Sequence, residues 1–348
     1  MRWGLRKMSE NGARGARELV LERIREDSRF VLATHENVDG DALGSLLGMH
    51  GLLRALGKDA LMFMADSEFP LPEEYRWVTL DGVIQAPPAD IAQRTVVMLD
   101  CGNIDRNSAE VLRDGAHLLN IDHHHDNTGF GTVNHVVPEA SCTAEIIWDL
   151  MRDLGVTPDR CVAQALYVGL VTDTGRFMYE STGPAAHRMA AELISAGVDV
   201  QDIYRKLYED LPYAKLALLG RALSQVCRFD SGELTLAALS AADFHELEAL
   251  DSYSEGIVDH LRAVRDTKVA ALVRELSAPE RSGQRKVSLR ASDDDVDVSA
   301  IARAQGGGGH RRAAGFSTTL ELAELIEFLR REIATQLHGA CETAAAPA

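Results

Sequence analysis

The sequence predicts an α/β protein in two parts: an N-terminal domain on a doubly wound, mainly parallel sheet, and a smaller C-terminal α/β domain reached through a helical linker. Three observations predict it. Short apolar runs alternate with amphipathic helical segments through the first half, the pattern of βαβ units. The alternation then gives way to a long helical stretch and a second, shorter set of strands and helices. Finally, 348 residues, 46% hydrophobic and 26% charged, suffice for two cores.

Taken in order, "RFVLAT" is a buried strand and "DALGSLLGMHGLLRALG" a helix ending at Gly57. "ALMFMA", "TVVMLDCG" and "HLLNIDHH" are further buried strands, "TAEIIWDLMRDLG" a helix closed by Gly155, and "CVAQALYVGLVTDTG" a helix running into a polar turn. "PAAHRMAAELISAG" and "DVQDIYRKLYEDLPYAKLALLGRALSQV" form the long helical stretch. Beyond it "ELTLAALS", "KVAALVREL" and "RKVSLRA" are strands, and "IVDHLRAVRD", "VSAIARAQ" and "LAELIEFLRREIATQL" helices. The expected domains are residues 15–200, a linker over 201–226, and 227–340. The first dozen residues and the Ala-rich end after Cys341 are expected to be disordered.

Composition narrows the function classes. No apolar stretch approaches the ~20 residues that span a bilayer, and the start lacks the apolar core of a secretory signal, so a cytoplasmic, non-membrane protein is expected. Five scattered cysteines without a CxxC pair suggest neither disulfides nor a thiolate zinc site. A formal charge of −17 counts against coating long nucleic acid, duplex above all, but leaves room for a small phosphorylated partner held by local cations. An apolar helix such as "PAAHRMAAELISAG" offers a face for a homodimer.

Four places in the first half end an apolar run with metal-type ligands. They are "THENVDGD" (His35, Asp39, Asp41), "VMLDCGN" (Asp100), "NIDHHHDN" (Asp122, His123, His124, His125) and "GLVTDTG" (Asp173). An Asp after a strand is commonly a helix cap, and a His run is commonly a polar turn. Four such clusters at the same kind of position, where open α/β sheets gather their chemistry, point instead to one crevice. Carboxylates crowded there repel one another unless cations are present. Oxygen and imidazole donors without thiolate suit Mn²⁺ or Mg²⁺, with Zn²⁺ and Co²⁺ as alternatives, and the number of donors suggests two ions. Cys101 and Cys142 are expected to be small buried residues, since nothing basic is placed to activate them.

The second informative stretch is "RAQGGGGHRRAAGF". Four glycines let the backbone approach a ligand and aim N–H groups at an anion, while His310, Arg311 and Arg312 add local positive charge. A flexible connection is the plain alternative, weakened because "RRAAGFSTTL" continues into ordered-looking sequence.

"HENVDGDALGS", "LDCGN", "IDHH" and "VTDTG" together resemble the four ordered motifs of the DHH phosphoesterase superfamily, and "GGGGHRRAAGF" resembles the DHHA1 signature. Two-domain chains of this size resemble its NrnA-type branch of bacterial oligoribonucleases that also dephosphorylate 3′-phosphoadenosine 5′-phosphate. Val38 stands where the family often has Pro. The resemblance implies two Mn²⁺ ions, with Mg²⁺ or Co²⁺ as substitutes. It implies one ion on His35, Asp39 and Asp100, and the other on Asp41, Asp100, His123 and Asp173, with Asp100 bridging. It further implies that His124 contacts the scissile phosphate or its leaving group and that Asp122 orients the imidazoles. Gly308, Gly309 and His310 would grip the substrate phosphate or base, with Arg290, and Arg303 nearby, assisting.

The expected function is therefore Mn²⁺-dependent hydrolysis of short oligoribonucleotides to 5′-mononucleotides, and of 3′-phosphoadenosine 5′-phosphate. A cyclic dinucleotide phosphodiesterase is the near alternative. A manganese inorganic pyrophosphatase shares only the first-half motifs. A nucleotide-sensing module without turnover belongs to another class. Aromatic content of 5% and the absence of a basic stripe disfavour a RecJ-like enzyme on long single strands.

Overall fold

The computed structural model describes residues 3–107, 109–276 and 283–339, without the side chains of 3–14 and of His310. The tail from Cys341 on lies outside the described residues. The chain divides into two compact units, Met1–Asp210 and Leu211–Ala348.

The first unit runs α1 (Trp3–Glu26), β1 (Arg29–Ala33), α2 (Gly40–Ala55), β2 (Asp59–Phe63), β3 (Val83–Ile84), β4 (Thr95–Leu99), β5 (His117–Asp122), β6 (Val133–Val136), α3 (Thr143–Asp153), α4 (Arg160–Asp173), α5 (Pro184–Ser195) and α6 (Val200–Tyr208). Its six strands form one parallel sheet in the order β3-β2-β1-β4-β5-β6. The chain builds outward from β1 in one direction, then restarts at β4 and builds in the other. The loops after β1 and β4 thus flank the switch point, where such sheets open a crevice.

The strands read as unbroken apolar runs because both faces of a parallel sheet are covered. Phe30, Leu32, Val97, Leu99, Leu119 and Ile121 face one core with the helices, while Val31, Ala33, Val96, Met98 and Leu118 face a smaller one closed by Ile91 and Leu112. The doubly wound fold expected from the alternation is the fold observed.

Three details differ from expectation. Residues expected to be disordered at the start belong to α1, whose later part buries Val20, Leu21 and Ile24. The long helical stretch breaks after Tyr208: the chain resumes as a helix only after Pro212, which fixes its own φ and cannot donate an N–H. Much of the apolar side of α5, which the sequence offered as a dimer face, is spent on the core through Ala186, Met189, Ala190 and Leu193, while Ile194 stays exposed.

The second unit runs α7 (Tyr213–Ser224), β7 (Cys227–Phe229), β8 (Leu234–Leu239), α8 (Ala241–Glu246), α9 (Ile257–Arg262), β9 (Val269–Glu275), β10 (Arg285–Ala291), α10 (Val298–Arg303), β11 (Gly308–His310), β12 (Ala313–Thr318) and α11 (Leu322–His338). Its strands form a mixed sheet, β11-β12-β10-β9-β8-β7, in which, among the described residues, only the β8–β9 pair is parallel. α10 and α11 cover one face through Ile301, Ala302, Leu325, Leu329 and Ile333. The glycine run is not a linker, because Gly308 and Gly309 pair with Gly315 and Ala314 as the edge strand β11. Among the described residues, no helix is long and apolar enough to cross a membrane.

Candidate metal centre

Three adjacent strand ends and one helix end bring the predicted donors of the first unit together. The β1–α2 loop supplies His35 and Asp39, with Asp41 in the first turn of α2; Asp100 follows β4, Asp122 ends β5 with His123 and His124 behind it, and Asp173 ends α4. Three overlapping groups have ligand atoms within 4.8 Å of one another: His35, Asp39 and Asp100; Asp41, His123 and Asp173; and Asp100, His123 and His124. His125 is exposed and stands outside these groups.

Asp100 joins two of the clusters. Its Oδ2 lies 3.6 Å from His35 Nε2, and its Oδ1 lies 3.7 Å from His123 Nε2 and 3.6 Å from His124 Nδ1. The carboxylate therefore presents one oxygen to each side. Its backbone has φ +55°, a conformation that few non-glycine residues adopt, and is held by the Asp100 N–H donating to the Ile121 carbonyl (3.1 Å). Burial opposes the charge of Asp100, but His35, His124 and His123 outweigh it and hold the carboxyl below its usual range.

The remaining side chains are aimed by hydrogen bonds. Asp39 caps α2, Oδ1 accepting from Ala42 N (2.9 Å), while Oδ2 turns toward His35 Nε2 at 3.8 Å. The helix-cap alternative and the ligand role thus coexist on two oxygens of one residue. Asp41 is fully enclosed; its oxygens accept from the backbone N–H groups of Thr143 (2.6 Å) and Ala144 (3.0 Å) at the start of α3. Burial first, then the charges of Asp100 and Asp173, raise its pKa well above the ordinary range. Asp173 is pushed up to about 6 by burial, with Asp100 and Asp39 adding and His123 opposing.

Asp122 is wholly buried and organises the histidines: Oδ1 accepts from His123 N (2.9 Å) and lies 2.7 Å from His124 Nδ1, while Oδ2 accepts from Asn127 (2.5 Å). His124 is pushed up to about 9, burial being outweighed by the Asp122 hydrogen bond and the Asp100 charge. Burial raises the Cys101 thiol to about 12 and that of Cys142 well above its usual value, so neither is a thiolate nucleophile.

A cation fits this arrangement, as one orphaned atom indicates. His35 Nδ1 is committed to the Glu36 carbonyl (2.8 Å), yet its buried Nε2 has no hydrogen-bond partner. Nε2 faces Asp39 and Asp100 at distances too long for hydrogen bonds but suited to a shared ion. An all oxygen-and-nitrogen donor set is that of a divalent cation of the Mg²⁺–Mn²⁺–Zn²⁺ range.

Sequence reasoning missed several supporting residues. Thr143 donates Oγ1–H to Asp100 (3.0 Å) as well as its N–H to Asp41, and Asn127 ties Asp122 to Asn120 (2.7 Å). Val38, where proline is common in the resembled family, donates its N–H to Glu68 (3.2 Å), a bond proline could not make. Gly169 lies against the site: a Cβ there would stand 2.8 Å from Asp41 Oδ1 and 2.9 Å from the Ala144 Cβ. Gly169→Ala is therefore expected to shift the Asp41 carboxylate and lower kcat/KM roughly 10²-fold. Steady-state kinetics with circular dichroism checks this; unchanged turnover in a folded variant would contradict it.

In the second unit, Arg290 on β10 and His310 on β11 both pair in register with Ala313 of β12, so they share one row across the sheet. Arg290 Nη1 donates to the Leu289 carbonyl (3.1 Å), with Asp259 at 3.5 Å. Arg303 donates to Ser299 Oγ (2.8 Å). Arg311 and Arg312 pair with Asp294, which takes up charge the sequence had left for a ligand. Gly309 has φ +136° and no room for a Cβ against Ala313 and Ala314, so the fold requires glycine there; a Cβ on Gly308 would meet nothing within 4 Å. The His310 side chain lies outside the described residues.

Comparison with known proteins finds two matching domains. The DHH family, N-terminal domain, matches residues 29–170, and the DHHA1 domain matches residues 247–335. The bifunctional oligoribonuclease and PAP phosphatase NrnA of Thermus thermophilus is 34% identical over 302 residues, covering 85% of this chain and 86% of that protein. The chain belongs to the DHH/DHHA1 phosphoesterase family. The NrnA protein of Bacillus subtilis is 26% identical, covering 83% and 88% of the two chains. An exopolyphosphatase-related protein from Bacteroides fragilis shares the fold of this phosphoesterase with a TM-score of 0.84 at 23% identity, over 93% of this chain and 97% of that one. RecJ of Thermus thermophilus, crystallised with Mn²⁺, has a TM-score of 0.53 at 18% identity, over 93% of this chain and 54% of that one. The protein is thus a hydrolase of phosphoric esters.

Proposed function

We propose that this phosphoesterase is a two-metal, manganese-dependent enzyme that degrades very short oligoribonucleotides to 5′-mononucleotides and removes the 3′-phosphate of 3′-phosphoadenosine 5′-phosphate. The observation that carries the proposal is Asp100, whose two oxygens face two separate donor groups. One ion would be held by His35, Asp39 and Asp100, and the other by Asp41, Asp100, His123 and Asp173. When bound, such a pair supplies Lewis acidity at the phosphoryl oxygens and a water of lowered pKa. Mn²⁺ is the choice the donor set favours over Ca²⁺, because imidazole joins the carboxylates. The oligonucleotide and PAP substrates rest on the names of the relatives.

The chain's own part is positioning. Asp122 fixes the His124 ring through Nδ1, which leaves Nε2 to meet the phosphate or the departing oxygen. Asp122 also orients the His123 backbone, and the α3 amides hold Asp41 so that its carboxylate cannot swing away. In the second unit, Gly308, Gly309, His310 and Arg290 would bind the substrate phosphate or base, with Arg303 beside them. Gly308 supports this role, since glycine there answers no need of the unit's own packing.

Turnover compared across diadenylate to roughly 24-nucleotide RNA, 3′-phosphoadenosine 5′-phosphate and cyclic diadenylate, with Mn²⁺, tests the proposal. The shortest linear RNAs are expected to give the highest kcat/KM, with a fall along the ladder that added salt partly relieves, because the chain's −17 charge repels longer polyanions. A rate rising with length would instead mark a long binding track, and preference for the cyclic dinucleotide would reassign the substrate.

A further inference from the structure

Just beyond Asp173 the chain makes a turn that the metal donors do not explain. Gly175, Arg176 and Phe177 in succession take φ of +54°, +62° and +65°. Two of the three are bulky residues in a conformation they seldom adopt, and such departures concentrate at functional sites. The turn is firmly held. Thr174 Oγ1 accepts from Phe177 N (3.1 Å) and donates to the Leu170 carbonyl (2.6 Å), while the Thr174 carbonyl accepts from Met178 N and Tyr179 N (3.0 Å each).

The side chains divide into two sets. Phe177 stacks on His187 with ring centroids 5.1 Å apart, and the Arg176 guanidinium lies over the Tyr208 ring at 5.2 Å. The next two residues turn outward: Met178 is 69% exposed and Tyr179 51%. The Tyr179 ring also folds back onto Gly175, where a Cβ would run into it. That leaves a half-exposed tyrosine ring a few residues along the chain from Asp173, one of the candidate metal donors. Single exposed apolar residues need no explanation, but an adjacent pair presented by a strained, hydrogen-bonded turn that directly follows Asp173 does.

We propose that Tyr179, with Met178 beside it, is a stacking platform for the nucleobase flanking the phosphodiester to be cut. This rests on the oligonucleotide reading above. A nucleobase offers a π-face whatever its identity, so a tyrosine ring binds it without selecting sequence. The methionine thioether is a polarizable, adaptable neighbour for the same face. Neither group adds charge, as suits a position beside carboxylates and cations. The enzyme should accept any base at this position yet discriminate against a missing one.

The test is calorimetric binding, with Mn²⁺ present, of a 5′-phosphorylated diadenylate whose bridge is a non-hydrolysable methylenephosphonate, compared with analogues abasic at either residue. Tyr179→Ala is expected to weaken binding of the intact analogue about tenfold. It should leave binding unchanged for the analogue abasic at the stacked residue, and leave metal content unchanged. Tyr179→Phe, which keeps the ring, should restore affinity, and Met178→Ala should give a smaller loss in the same pattern. Equal losses on intact and abasic analogues would overturn the platform and make Tyr179 a support for the Asp173 turn. It would be overturned equally by no loss at all, or by wild-type protein that does not bind the dinucleotide. Failure of the oligonucleotide reading shows separately, as wild-type protein that binds but does not cleave the natural diadenylate.

Discussion

Asp100→Ala is expected to abolish turnover and to lower tightly bound metal from two ions per chain to one or none. Asp100 is the carboxylate facing both donor groups, so its loss opens both proposed sites at once. Metal assistance in phosphoryl transfer amounts to several kcal/mol of transition-state stabilisation, so kcat/KM should fall on the order of a thousandfold or more. Asp100→Asn is the companion variant, since it keeps an oxygen for Thr143 and nearly the same volume. Plasma emission analysis of dialysed protein, with circular dichroism to confirm folding, decides the matter. Two retained ions with near-normal turnover would refute the bridging assignment.

The second large effect is on stability. Four carboxylates, Asp39, Asp41, Asp100 and Asp173, share one crevice with Asp41 wholly enclosed. Each ion held at about a hundredfold over its Kd adds ~2.7 kcal/mol to the folded state. At ~2–4 °C per kcal/mol for a unit of this length, Mn²⁺ should raise the melting point of the first unit by roughly 10 °C or more over chelated protein. Differential scanning calorimetry should show that transition moving while one from the second unit stays in place. The Asp100→Ala protein should lose most of the response. A wild-type melting curve indifferent to Mn²⁺ would argue against resident ions.

The clustering of the candidate donors was legible in sequence because each comes after a strong apolar run, and parallel strands deliver the residues at their C-terminal ends to one edge. His35, Asp39, Asp100 and His123 announce themselves in that way. The contacts that aim them were not legible, because they join distant segments. Thr143 reaches Asp100 and Asp41 from the start of α3, which nothing in "SCTAE" foretells. Asp294 captures Arg311 and Arg312 from 17 and 18 residues away, so local charge counting overstated the charge those arginines offer a ligand. The edge strands β3 and β6 escaped notice for a related reason: "VI" is too short and "VNHV" too polar to stand out. α1 is short of apolar residues over most of its length and is anchored by a cluster near its end.

The seam between α2 and α4 bears on how the crevice keeps its shape. A Cβ on Gly44 would stand 2.5 Å from the Ala165 carbonyl oxygen, and Gly48 and Gly51 continue the same close approach against Leu166 and Val162. Backbones locked this tightly leave no slack at the site end, where α2 carries Asp41 and α4 carries Asp173. Like charges on looser scaffolds drift apart and dissipate their repulsion. Here the repulsion has no mechanical outlet, so it is relieved by positive charge, either as protons on Asp41 and Asp173, whose pKa values it helps to raise, or as a bound cation that displaces them.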